Sequence, residues 1–438
     1  NKIIFFFFRF SNKFCKNNIL QYICCLIFNK KHKTMKNYMI LLPLALISFT
    51  FTSCDNDDND DPVIPTIQAP QTYSFERNGE STISYSGQTT RLEQADELYA
   101  ALNSSGSTAS GLDLMFNGSD GSSAGFANDL LNGTSKIIGS KTASSTLSGS
   151  ATTKDKFNQY ITDFASNVAP NWNMDAAPGM PGSITSPDGG STYQINAVGQ
   201  ELDQLFFKGL IGAFTLDQIV NNYIHPNQLD SGSRIDDNDN GVLSDGKPYT
   251  DMEHKWDEGF GYLYGQEGDL DVVGYTIGSA PAGSGNLLMK YFKKVNAEGG
   301  YEPGIGQIVY DAFIMGRTAI VNRDYDLREA QADIIQVELS KVIGYYAIHY
   351  LNDYIAKVEA GNIAKAHHSL SEAYGFILSL QFTNNGNDEP YMSKADVESF
   401  LDTSLADFHN VNQADIIANG SGMIDIIKAA YGNTLMID

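Results

Sequence analysis

The 438-residue chain has four cysteines, Cys15, Cys24, Cys25 and Cys54, and none later. The residues after Cys54 therefore offer no disulfide, no zinc–thiolate centre and no cysteine nucleophile, so stability must come from a core. Tryptophan is scarce, with only Trp172 and Trp256. Basic charge is scarce too. Residues 1–53 hold eight Lys/Arg and no Asp/Glu, leaving 21 basic residues against 52 acidic ones. Such a balance disfavours nucleic acid and anionic membrane surfaces as partners and favours cations. There is no Gly-x-Ser-x-Gly, His-Glu-x-x-His, Walker or dinucleotide fingerprint. The Glu-x-x-His pairs of di-iron bundles are absent as well, Asp251-x-x-His254 coming nearest. The expectation is a protein that binds rather than catalyses.

What is present first is an address. Residues 1–34 contain no Met and no acidic residue and are dominated by Asn, Lys, Ile and Phe, including Phe5 to Phe8. They read as translated upstream sequence. Residues 35–53 read as a lipoprotein signal peptide: Lys36, an apolar run from Met39 to Phe51, then Thr52-Ser53-Cys54. Cys54 is the expected lipidation site, and a lipid anchor in the outer membrane follows from it. Residues 54–72, opening Asp55-Asn56-Asp57-Asp58-Asn59-Asp60-Asp61, form a solvated acidic tether. That run resembles the export signal of surface-exposed Bacteroidetes lipoproteins, which implies the cell surface.

Residues 73–438 carry the 3.6-residue periodicity of an all-α domain, with a short extended start and long Gly/Ser-rich loops, notably at 103–153. Thr90-x-x-Glu93, Thr250-x-x-Glu253 and Ser393-x-x-Asp396 read as helix caps. Helices are expected over 196–224, from 250, and over 286–297, 308–322, 326–359, 362–382, 393–408 and 413–431. One helical segment occurs twice, 114 residues apart: His254-x-x-x-Glu258-Gly-Phe-Gly-Tyr-Leu and His368-x-x-x-Glu372-Ala-Tyr-Gly-Phe-Ile. Echoes precede both copies, Leu210-Ile211-Gly212 matching Val342-Ile343-Gly344. Segments 201–265 and 333–380 are accordingly expected to be duplicated antiparallel hairpins.

The repeated pairs are the leading candidate site. At i and i+4, His and Glu lie about 40° apart on one helix face. A neutral imidazole and a carboxylate there can share a transition metal, Fe or Zn, since mixed N/O ligation suits these better than calcium. The same pair can also serve as a hydrogen-bonded clamp between packed helices. His254 lies in a first turn, where the macrodipole keeps the ring neutral. Glu253 and Asp257 could add oxygens to the first pair, His349 and His367 could join the second. Asp236, Asn238 and Asn240, followed by Gly241, fit the opening of a calcium loop, although Lys247 stands where the closing Glu belongs. A solvated acidic loop is the alternative. Arg317, Arg323 and Arg328 are expected to pair with internal carboxylates or cap a helix.

Tyr73-Ser74-Phe75, Ser86-Gly87-Gln88-Thr89-Thr90-Arg91-Leu92, Glu253 to Tyr262 and Leu370 to Phe376 resemble the Bacteroidetes lipoprotein family called domain of unknown function 4856. More distantly, the paired His/Glu hairpins resemble imelysin-type proteins, iron-regulated helical bundles whose motif is Gly-x-His-x-x-Glu. Here Met252 and Ala366 replace the Gly, and the Glu comes one residue later. These resemblances imply a surface-anchored protein that binds a metal ion or metal complex, accessory to iron acquisition. A TonB-dependent receptor or an imelysin-like protein would be its partner. A metal-free accessory of such a receptor and a glycan-binding lipoprotein are the alternatives.

Overall fold

The computed structural model describes residues 67–267 and 286–437, all within one unit, Pro65–Asp438. The address segments through residue 66, with Cys54 among them, lie outside the described residues. The described chain is mainly helical, with two small antiparallel sheets, and its class is all-α. The larger helices are α1 (Ser86–Ala101), α2 (Ala109–Asn117), α3 (Ala151–Asp163), α4 (Leu202–Leu210) and α5 (Asp251–Tyr264). They continue as α6 (Leu288–Asn296), α7 (Ile305–Asn322), α8 (Tyr325–Glu359), α9 (Ile363–Ser379), α10 (Lys394–Ser399) and α11 (Met423–Ala430). Among the described residues no helix is long and apolar enough to cross a membrane.

At about 1.5 Å per residue, α8 is roughly 50 Å long and forms the spine. It packs along α7 on one side and α9 on the other, and α9 packs in turn on α4. Short polar side chains set these ends. Asp324 accepts from Leu327 N to start α8, and Asn362 accepts from Lys365 N to start α9 directly after the turn at Gly361. Thr250 opens α5 with a full capping box, and Ser393 caps α10. Thr90 does not cap. Helix α1 starts a turn earlier, at Ser86, and Thr90 Oγ1 donates to the Ser86 carbonyl. Tertiary contact explains the extra turn: Gln88 bonds a carboxylate on α5, and Tyr85 packs against Gly261 there. The helix expected over 413–431 is also divided, into Ala414–Ile417 and α11, by a turn with Gly420 at φ +74°.

Helix α4 continues through two stretches of wider π turns, Ile211–Leu216 and Ile219–Tyr223. A hydroxyl causes the first. Gly212 N donates to Ser379 Oγ at 3.0 Å, and Ser379 Oγ lies 2.9 Å from the Lys208 carbonyl that Gly212 would meet in an α-helix. The side chain of α9 is thus inserted into the ladder of α4. The extended start, pinned by a Tyr73 OH bond to Asp257 Oδ1 at 2.6 Å, lies across α5, with Tyr73 stacked on Phe260. Strands β1 (Glu76–Arg77) and β2 (Glu80–Ser81) pair within that start, and a later hairpin of β3 (Gly182–Thr185) and β4 (Thr192–Ile195) pairs Gly182 with Ile195 and Thr185 with Thr192. Strand β3 falls inside residues 169–190, whose Pro and Gly content reads as a break. Segment 201–265 contains α4, its wide turns, the short helices Pro226–Leu229 and Arg234–Asp239, and α5; segment 333–380 holds most of α8 and α9.

Candidate functional site

His368 and Glu372 sit on α9 where it crosses the start of α4. The approach depends on Gly375, since a Cβ there would lie 2.4 Å from Lys208 Cβ and 2.8 Å from Gly209 N. His368 Nδ1 meets Glu201 Oε2 at 2.5 Å, and His368 Nε2 faces Glu372 Oε2 at 3.4 Å. Lys208 takes the other Glu372 oxygen, Oε1, at 3.2 Å. Tyr193 of β4 stacks on the imidazole, centroids 4.5 Å apart and planes at 18°. The His368 side chain keeps 28% of its surface exposed, so the pair is reachable from solvent. Burial alone would lower the His368 pKa. The hydrogen bond and charge of Glu201, with Glu372 behind it, outweigh that and raise it.

The first pair has similar neighbours and a different closure. Tyr249 stacks on His254 at 4.8 Å and 17°, and Gly261 gives α5 its close approach to Tyr85. His254 Nε2 is 4.0 Å from Glu258 Oε2, and Lys255 Nζ occupies that same oxygen at 2.7 Å. Gln88 Nε2 donates to Glu258 Oε1 at 2.9 Å. Both carboxylate oxygens are therefore committed, and the arrangement is a clamp between α1 and α5 rather than two open ligands. The His254 pKa is lowered as expected of a neutral ring, with burial the largest cause. Glu253 and Asp257, expected nearby, turn into the core. His367 Nδ1 bonds the Gly199 carbonyl at 2.7 Å, and His349 Nδ1 meets Tyr301 OH at 2.6 Å. Among the described residues, no three His, Cys, Asp or Glu side chains gather as a metal site of their own.

Next to the second pair is a cavity of about 410 Å³. Asn103, Trp172, Tyr193, Gln194, Glu201 and Asp203 line it. Asp203 is buried, and burial, with the Glu201 charge next, pushes its pKa up to about 7. Gln194 Oε1 is buried without a hydrogen-bond partner. Sequence spacing pointed to none of Tyr193, Glu201, Asp203 or Lys208, because each belongs to an element over 150 residues from His368. Trp172 drew notice as one of only two tryptophans. The other, Trp256, is fully buried and donates from Nε1 to the Phe313 carbonyl at 3.0 Å.

Residues 70–423, which hold both pairs and the cavity, match the model of a domain of unknown function, DUF4856. The chain belongs to that family. Neither a curated protein nor a solved structure matches it.

The remaining polar motifs of this DUF4856 chain are structural in their geometry. Asp236, Asn238 and Asn240 do not make a loop of alternating oxygen ligands, because Arg234–Asp239 is a short helix. Asn238 turns inward, donating to the Ile320 carbonyl at 2.9 Å and accepting from Thr250 Oγ1 at 2.7 Å. Asn240 Nδ2 bonds the Asp236 carbonyl. The segment anchors the start of α5 to the end of α7. The arginines do what their acidic surroundings suggested. Arg317, fully buried, pairs with Asp257 at 3.0 Å and Glu253 at 3.1 Å, and Arg77 meets Glu253 at 2.8 Å. Arg328 pairs with Asp230 at 2.7 Å, and Arg323 ends α7 at φ +61°.

Proposed function

We propose that the protein is a surface-anchored lipoprotein that binds a chelated transition metal, iron foremost, through His368 and Glu372. The observation that carries this is the 3.4 Å separation of His368 Nε2 and Glu372 Oε2 with Glu201 seated on Nδ1. Nitrogen and oxygen donors that share a metal at about 2.0–2.2 Å lie roughly 3.0–3.5 Å from each other. A carboxylate on the far ring nitrogen is the usual support of a metal-binding histidine, fixing its orientation and raising its basicity. Lys208 neutralises one Glu372 oxygen and leaves the other facing the ring. Two protein donors are too few for a bare ion. They suit a metal that arrives with most of its coordination filled by a small chelator. Within this reading the protein passes the complex to an outer-membrane TonB-dependent receptor or an imelysin-like protein, as an accessory of iron acquisition.

The test is calorimetric titration with ferric citrate. Wild type and His254→Ala should bind within twofold of each other. His368→Ala and Glu372→Gln should each weaken binding at least tenfold. Unchanged affinity in His368→Ala removes the proposal. Surface anchoring rests on Cys54 and is tested separately: radiolabelled palmitate should enter wild type and not Cys54→Ser, and label in that variant refutes the anchor.

A further inference from the structure

The geometry points to a second ligand, a small hydroxylated organic amine of the amino-sugar class, in the cavity between Trp172, Tyr193, Glu201 and Asp203. This inference stands apart from the metal reading, with which it shares Glu201 and Tyr193. The volume, about 410 Å³, falls within the roughly 300–1,000 Å³ of small-molecule sites. Two carboxylates line the cavity, and none of its described lining residues is Lys or Arg. Trp172 and Tyr193 add aromatic faces, whose negative quadrupole attracts an ammonium. Anions are thereby disfavoured and cations selected.

The local charge tally agrees. Glu201 is repelled by Glu372 on one side and repels Asp203 on the other, and His368 and Lys208 are the two cations among them. Lys208 is held by Glu372 and His368 lies between Glu201 and Glu372, so both act on Asp203 from a distance, while its Oδ2 accepts from Gln204 Nε2 at 2.7 Å. Burial, with the Glu201 charge next, raises its pKa, and an ammonium beside it would favour the charged form. Another polar group asks for a donor. Gln194 Oε1 is a buried acceptor with no partner, whereas the Asn103 amide at the wall is committed to the Tyr99 carbonyl and to Asp203. A hydroxyl group on the ligand matches the Gln194 oxygen, and leaving such an acceptor unmet costs free energy.

Calorimetry on the mature full chain with glucosamine, glucose and N-acetylglucosamine decides the matter. Glucosamine should bind at least tenfold more tightly than either neutral sugar. Asp203→Asn and Glu201→Gln should each erase that preference, and Trp172→Ala should weaken glucosamine at least tenfold. Equal affinity for the three sugars, or no binding of glucosamine to folded wild type, overturns the inference. The ranking needs only wild type, so a variant that fails to fold cannot obscure it.

Discussion

Burial governs the charge of Asp203 more than any single neighbour does. Its folded pKa, about 7, lies above the ordinary value of 3.8, so the folded state binds more protons than the unfolded one between those limits. Stability from this group is full below about pH 4 and is lost as pH rises through about 7. The charges that face it, Glu201 against Lys208 and His368, remain when it is changed. Asp203→Asn should therefore gain stability over wild type at pH 8, of order 1–4 kcal/mol, and only about a third of that at pH 5. Thermal melts at the two values check this, and an equal difference at both contradicts the buried-acid account. The same scale shows what a sequence can display about a site. The i, i+4 spacing of His254/Glu258 and His368/Glu372 is legible because one helix carries both members. Which of the pairs is open is not legible, because Lys255 lies inside the motif whereas Lys208 comes from α4 and Glu201 from its N-cap.

Helix-to-helix approach sets the middle scale. Gly375 allows α9 to lie on α4 with no room for a methyl group, and Ser379, one turn further on, opens the ladder of α4 at Gly212. Gly375→Ala should destabilise the fold by about 1–3 kcal/mol, despite the better helix propensity of Ala, because the added methyl meets backbone and the Lys208 stem. Denaturant titration measures it, and a neutral or stabilising result contradicts the close packing. Elements with local signals were readable. Thr250 and Glu253 satisfy each other within one turn, so α5 begins where the residues say. Thr90 and Glu93 carry the same spacing but cap nothing, since packing of Tyr85 and Gln88 on α5 draws α1 back by a turn. The β3–β4 hairpin lacked an alternating apolar signal, and Pro and Gly around it read as loop. Even so, that hairpin brings Tyr193 to His368.

At the scale of the molecule, periodicity and composition were enough for the class: apolar residues at helical spacing and no thiols after Cys54 leave an all-α core as the source of stability. The address segments and the acidic balance belong to this scale too, and they motivate a tethered protein that meets cations. The duplication is an expectation from the repeated motif, to which the approach glycines Gly261 and Gly375 belong; the stacked Tyr193 lies outside segment 333–380, and one copy is closed by its own lysine. The proposed function rests on the copy that is not. Crystals of the mature protein soaked with ferric citrate, measured at the iron edge, test that claim most directly. The account predicts an anomalous difference peak about 2.0–2.2 Å from both His368 Nε2 and Glu372 Oε2, and none at His254. A peak at His254 and Glu258, or none at His368 in fully soaked crystals, would contradict it.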